Sequence, residues 1–216
     1  MADVSSKVRA TSSARRSLAQ LAAEAAGCTA CDLYRDATQT VFGAGPQSAP
    51  MLVVGEQPGD IEDQAGEPFV GPAGRLFDEI LEEAGIDRSD LYVTNAVKHF
   101  KWVARGKRRI HQKPNASEIV ACHRWLDAEL DVVQPRVVVA LGATAARSVL
   151  GHPVTIREVR GKVLDELDRD VGVVVTIHPS AVLRADDADR RAMRTSLADD
   201  LRLAMDAART TGRRTG

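Results

Sequence analysis

The sequence predicts an α/β protein, a three-layer α/β/α sandwich around a mainly parallel sheet. Three observations carry that reading. Four short runs, Met51–Val54, Leu91–Thr94, Val137–Leu141 and Val173–Ile177, are apolar almost throughout instead of alternating, as strands buried on both faces must be. Stretches of helical composition separate them, and helices between strands make the crossovers of a parallel sheet. Finally, 216 residues with 44% hydrophobic and 27% charged content suffice for one sizeable core and are too few for two comfortable ones. Residues 1–216 are therefore read as one domain, without an internal repeat.

In chain order, Ala14–Ala26 has helical composition and stops at Gly27, a favourable residue just past a helix end. Met51–Val54 is the first strand, closed by Gly55. Pro72 suits the first turn of a helix whose stripe is Leu76, Ile80, Leu81 and Ala84, ending at Gly85. Leu91–Thr94 is the second strand. Asn115 with Glu118 three residues on has the form of a capping box, opening a helix to about Leu130. Val137–Leu141 is the third strand, followed by a helix from about Thr144 to Leu150. Val173–Ile177 is the fourth, and a last helix runs from about Ala188 to Ala207. The polar ends, residues 1–10 and 210–216, are read as disordered arms.

Composition excludes several classes. A formal net charge of -1 rules out a general polycation. No apolar stretch reaches membrane-spanning length and the first ten residues lack a signal peptide's apolar run, so the expectation is a cytoplasmic protein with no membrane partner. Cys28-Thr29-Ala30-Cys31 and Cys122 are three cysteines, which cannot all pair. In a chain without an export signal they argue for a metal or redox site rather than a disulfide.

Ligands of open α/β sheets bind beyond the carboxyl ends of the strands. The first strand runs into Gly55-Glu56-Gln57-Pro58-Gly59-Asp60, the second into Asn95-Ala96-Val97-Lys98, and the fourth into His178-Pro179-Ser180. Singly, these are a turn, a helix cap and a structural histidine. Together they place a carboxylate, an amide and an imidazole at one rim. Between Lys98 and Lys113 there is no acidic residue, while Lys98, Lys101, Arg105, Lys107, Arg108, Arg109 and Lys113 are basic. Beside such a rim, a basic run is read as a phosphate-binding surface whose affinity falls with salt.

Gly55-Glu56-Gln57-Pro58-Gly59, Pro68-Phe69-Val70-Gly71-Pro72-Ala73-Gly74, Thr94-Asn95 and His178-Pro179-Ser180 resemble the motifs of the uracil-DNA glycosylase superfamily, nearest its type-4 branch with a [4Fe-4S] cluster. The loop Gly106-Lys107-Arg108-Arg109-Ile110-His111 is similar to the signature of the UdgX-type proteins, which become covalently linked to the DNA sugar after removing uracil. The resemblance spans roughly Cys28 to Leu203. It implies a monomer that acts on uracil-containing DNA, single-stranded as well as duplex, in DNA repair.

A stacked uracil must be flipped out of the helix to be reached. The resemblance assigns Phe69 to stacking on the base, Asn95 to its Watson–Crick edge, and Gly55 and the backbone near Gln57 to the same pocket. Glycosidic cleavage builds negative charge on the base and positive charge on the sugar. His178 would stabilise the first as a donor and Glu56 the second as a carboxylate. His111 would attack the sugar, oriented by Glu56; the alternative for it is a loop histidine contacting phosphate. Lys107, Arg108 and Arg109 would meet phosphates. Ser180–Arg184 would enter the space left by the base, with Leu183 as wedge and Arg184 as phosphate contact. The implied metal ligands are Cys28, Cys31, His99 and Cys122. By residue type alone, that set also suits structural zinc, and His99 has a second reading as a surface imidazole.

Overall fold

The computed structural model describes residues 16–165, 167 and 171–211. The arm at residues 1–10 lies outside them, and so do residues 212–216 of the other. The sequence folds into α1 (Leu18–Ala26), β1 (Met51–Gly55), α2 (Asp60–Ala65), α3 (Pro72–Ala84), β2 (Leu91–Asn95), β3 (Trp102–Arg105), β4 (Arg108–His111), α4 (Ala116–Val133), β5 (Val137–Leu141), α5 (Gly142–Leu150), α6 (Ile156–Val159), β6 (Val163–Leu164), β7 (Gly172–Thr176), α7 (Pro179–Arg184) and α8 (Asp187–Thr211).

The main sheet has the order β2-β1-β5-β7-β6. Its β2/β1, β1/β5 and β5/β7 pairs are parallel, and the two-residue β6 closes one edge antiparallel. Side chains alternate between faces along each strand. Met51, Val53, Val139 and Val174 pack with α3 and α8, whereas Leu52, Val54, Val138 and Val173 pack with α4 and α5. Both faces being covered is why the strands read as continuous apolar runs. A third cluster joins α1 to α4 through Leu21, Trp125, Cys122 and Phe42, with Cys28 and Cys31 against it.

Local chemistry sets the helix ends. Ser17 caps α1 in a capping box with Gln20, so the helix starts at Leu18 and not at Ala14. Asn115 and Glu118 form the expected box on α4, which continues to Val133, beyond Leu130. Helix α8 runs to Thr211, into the segment read as an arm. The basic loop is a hairpin, β3–β4, paired from Trp102↔His111 to Arg105↔Arg108. The segment after His178 is the short helix α7 rather than a loop. Among the described residues, no helix is long and apolar enough to cross a membrane.

Candidate active site

A cleft of about 1340 Å³ opens at the carboxyl ends of β1, β2, β5 and β7. The strand-end carboxylate, amide and imidazole do converge there. Glu56, Asn95 and His178 line it with Gln57, Phe69, Lys107, Arg108, Arg109, His111, Ser180, Leu183 and Arg184.

At one end of the cleft an amide and an aromatic ring close over a strand end. Asn95 ends β2 directly beside Gly55, the last residue of β1. A Cβ on Gly55 would lie 2.3 Å from Asn95 Oδ1 and 3.0 Å from Phe69 Cζ, so only glycine lets the amide and the ring close over that strand end. Phe69 holds φ at 61°, a left-handed conformation that costs a bulky residue roughly 1–3 kcal/mol and persists only where its surroundings enforce it. Two contacts enforce it here. The ring packs on Phe77 with centroids 5.5 Å apart, and the Phe69 carbonyl occupies the space where Gly74 would carry a side chain. Phe69 is thus neither a plain core residue nor a free one: its backbone is bent to set its ring beside Asn95.

The charged groups stand next to this pocket. Glu56 Oε2 accepts a 2.5 Å hydrogen bond from Thr144 Oγ1, and Glu56 Oε1 lies 3.3 Å from His111 Nε2. His111 is half-exposed on β4, its ring 6.1 Å from that of Phe100. The Nδ1 of His178 accepts from the Ser180 backbone N–H at 3.1 Å, with Ser180 Oγ at 2.9 Å. Burial, with the nearby Arg184 charge and the neighbouring His111 ring, lowers the His178 pKa to about 4. At neutral pH its single ring proton therefore sits on Nε2, making it a neutral donor for an oxygen that gains charge. Ser180 is in this way the group that fixes the tautomer.

Gln57 is committed elsewhere. Its amide donates to the carbonyls of Lys101 and Gln112 at 3.1 Å each and accepts from Lys101 N–H at 3.1 Å. It ties both feet of the hairpin to the loop after β1, and what it can offer a base is its backbone.

The basic run does not act as one surface. Lys107 and Arg108 line the cleft. Lys98, read from sequence as a phosphate contact, is fully buried. It pairs with the equally buried Glu129 at 2.6 Å and donates to Thr94 Oγ1 and, at 3.0 Å, to the Asn95 carbonyl. Lys101 pairs with Glu118 at 2.9 Å. Arg109 bridges Asp60 at 2.5 Å and Asp63 at 2.6 Å and stacks over Phe100 and Trp102. Its guanidinium latches the hairpin to α2, which leaves Lys107, Arg108 and Lys113 as the other basic side chains of the run that line the cleft. Leu183 is exposed at the cleft and Arg184 lines it.

Cys28, Cys31 and Cys122 are unpaired and share one cluster with α1 and α4. The sulfur of Cys122 accepts from Lys98 N–H, and that of Cys28 from Trp125 Nε1–H, at 3.2 Å each. His99 is buried, which corrects its reading as a surface imidazole, and burial lowers its pKa. Thr40 donates its one hydroxyl proton to the Ala25 carbonyl and so accepts from His99 Nε2 at 2.9 Å. The His99 Nδ1 is thereby the unprotonated ring nitrogen. Burial pushes the Cys31 thiol up and the Cys122 thiol to about 11, so thiolates here call for a positive partner. Among the described residues, no three His, Cys, Asp or Glu side chains close on one point as a single ion requires. The three cysteines lie in or against one hydrophobic cluster, and the sulfurs of Cys28 and Cys122 each accept an N–H donor.

Three groups escaped the sequence reading: Thr144, the Asp60/Asp63 latch and the Lys98–Glu129 pair. Only Thr144 left a usable signal, since Gly142-Ala143-Thr144 follows the third strand at the same rim.

Fold and site together define a three-layer α/β protein with a cleft at its strand ends, lined by a carboxylate, an amide, an imidazole and a basic hairpin. Residues 42–202 match the model of the Uracil DNA glycosylase superfamily, and the chain belongs to that superfamily. It is 41% identical over 158 residues to the type-4 uracil-DNA glycosylase of Thermotoga maritima, covering 73% of this chain and 78% of the relative. With the type-4 enzyme of Archaeoglobus fulgidus it shares 36% identity over 173 residues, 77% of this chain and 83% of the relative. A type-5 uracil-DNA glycosylase of Pyrobaculum aerophilum is 34% identical over 121 residues, 49% of this chain and 50% of the relative.

Proposed function

We infer that this protein excises uracil from DNA and is then captured as a covalent adduct between His111 and the deoxyribose. The observation that carries the second half is His111 itself, an imidazole at the cleft edge 3.3 Å from the Glu56 carboxylate. The type-4 names of the relatives support uracil excision.

Each step follows from groups already described. Lys107 and Arg108 hold phosphates and orient the strand without reading its sequence. The flipped base enters between Phe69 and the Asn95 amide. The bond between the base nitrogen and the sugar carbon breaks with its electron pair leaving on uracil, where the His178 N–H donor meets the growing negative charge. The Glu56 carboxylate lies where the sugar becomes cationic. A neutral imidazole has one nitrogen lone pair to give. When His111 gives it to the sugar carbon, the ring becomes a cation that Glu56 stabilises, and its remaining N–H proton passes to Glu56 or to solvent. This is the logic of a carboxylate-supported histidine, with the histidine as nucleophile.

A [4Fe-4S] cluster held by Cys28, Cys31, His99 and Cys122 would tie the N-terminal segment to the core; excision needs no electron transfer. The clustered sulfurs and the unprotonated His99 Nδ1 support that ligand set.

A hydrolytic reading, in which water attacks the sugar and the enzyme turns over, fits the relatives' names equally well. Uracil release under excess substrate separates the two. Capture predicts a halt at one uracil per protein, with His111→Ser converting the halt into continued turnover as water fills the vacated volume. Continued release by the wild type would favour hydrolysis and reduce His111 to a DNA contact.

A further inference from the structure

We propose that Thr144 is a positioning residue for Glu56, aiming that carboxylate at the reacting sugar and at His111. The proposal rests on the excision chemistry above and deepens it. The two carboxylate oxygens have divided duties. Oε2 takes the Thr144 hydroxyl at 2.5 Å and Oε1 stands 3.3 Å from His111. Thr144 itself is 3% exposed, so its side chain cannot relax into solvent.

The surrounding backbone explains why a threonine does this. Thr144 is the third residue of α5. A threonine deeper in a helix can turn its hydroxyl onto a carbonyl three or four residues back. Here that direction leads out of the helix into β5, and the proton goes to Glu56 instead. Gly142, at φ 88°, makes the turn from β5 into α5 and brings the helix start against His178, where a Cβ would sit 3.4 Å from the His178 Cβ. The first turn of α5 is thereby wedged between the two groups that face opposite charges in the reaction. A neutral donor fixes the direction of Glu56 without cancelling its charge. A lysine or arginine there would hold the carboxylate equally well and quench it.

The test compares Thr144→Val, which keeps shape and loses the hydroxyl, with Thr144→Ser, which keeps the hydroxyl. Single-turnover uracil release and adduct formation are followed on a uracil oligonucleotide, beside melting temperature and DNA affinity. Thr144→Val should slow both reactions by roughly ten- to a hundredfold, the value of one hydrogen bond to a charged group. Thr144→Ser should restore the rate, and DNA affinity should not change. Wild-type rates in Thr144→Val, or equal damage in Thr144→Ser, would overturn the proposal. Should Thr144→Val melt early, Glu56→Gln alone and with Thr144→Ala decides: a positioning role requires the two losses not to add, and full additivity would sink it. If wild type releases uracil without an adduct, the capture reading fails while Thr144 is still judged by release rates, since Glu56 faces the sugar cation on either route.

Discussion

Replacing Lys98 by methionine strikes an ion pair that is wholly enclosed. Lys98 and Glu129 are both 0% exposed, and the ammonium is spent on Glu129, Thr94 and the Asn95 carbonyl. Glu129 also accepts from Tyr92 Oη at 3.0 Å and Gly43 N–H at 3.1 Å. Burial and the Glu129 charge raise the Tyr92 pKa, so that phenol stays a donor. Lys98→Met leaves a buried carboxylate without its counter-charge, which costs about 3–5 kcal/mol. For a chain of this length, the melting temperature should fall by roughly 6–20 °C, at 2–4 °C per kcal/mol. Glu129→Gln keeps the acceptor for Tyr92 and Gly43 but strands the ammonium, with a similar loss. The double variant buries no charge, so it should recover about 2 kcal/mol or more against the sum. Thermal and urea melts of the four proteins supply the cycle. Folded Lys98→Met should also excise slowly, because the backbone that carries Asn95 has lost its anchor. Losses that simply add, or single losses below about 1 kcal/mol, would show that the pair does not hold the sheet end as argued.

Other outcomes follow from the same geometry. Lys107→Ala or Arg108→Ala should weaken DNA binding across sequences and reduce the salt slope by about 1 each. Arg109→Ala should instead loosen the hairpin, seen as faster hydrogen exchange over residues 102–111 and slower adduct formation with a near-normal salt slope. Protein purified anaerobically should be brown and carry iron and acid-labile sulfide, and Cys122→Ala should lose both along with solubility; stoichiometric zinc in a colourless protein would contradict the cluster. For pH, the folded-state value of His178 near 4 lies below the unfolded value of about 6.5. The unfolded chain then binds more protons between these values, so stability should fall as pH drops from about 6.5 toward 4 and level off beneath. His178→Gln should flatten that part of a melting-temperature profile, and an unchanged slope would refute the assignment.

Much of the architecture was legible because burial on both faces writes itself into a strand. Val137–Leu141 can belong to little else, and the glycines and capping residues punctuate the helices. The hairpin β3–β4 was not legible as one. It buries no apolar face; Val103 is exposed and its charged residues show no alternation. It is held by the Arg109 latch and the Gln57 amide, contacts of high sequence separation. Lys98 misled for a related reason. Its neighbours are basic, and only the fold reveals Glu129, 31 residues away, as its partner. In the site, residue type and strand-end position sufficed to bring out Glu56, Asn95 and His178. They could not show the left-handed Phe69, whose strain depends on Gly74 and Phe77, nor Thr144, an ordinary helix residue until its hydroxyl meets Glu56.

If His111 ends joined to the DNA sugar, a denaturing gel reads the bond directly. Protein is incubated with a labelled uracil-containing oligonucleotide, boiled in SDS, and resolved beside a thymine control and the His111→Gly variant. A slow-migrating band is expected with uracil only, in amounts matching the uracil released, that peptide mapping assigns to His111 and that His111→Gly lacks. Uracil released in many equivalents per protein with no SDS-resistant band would contradict capture at His111.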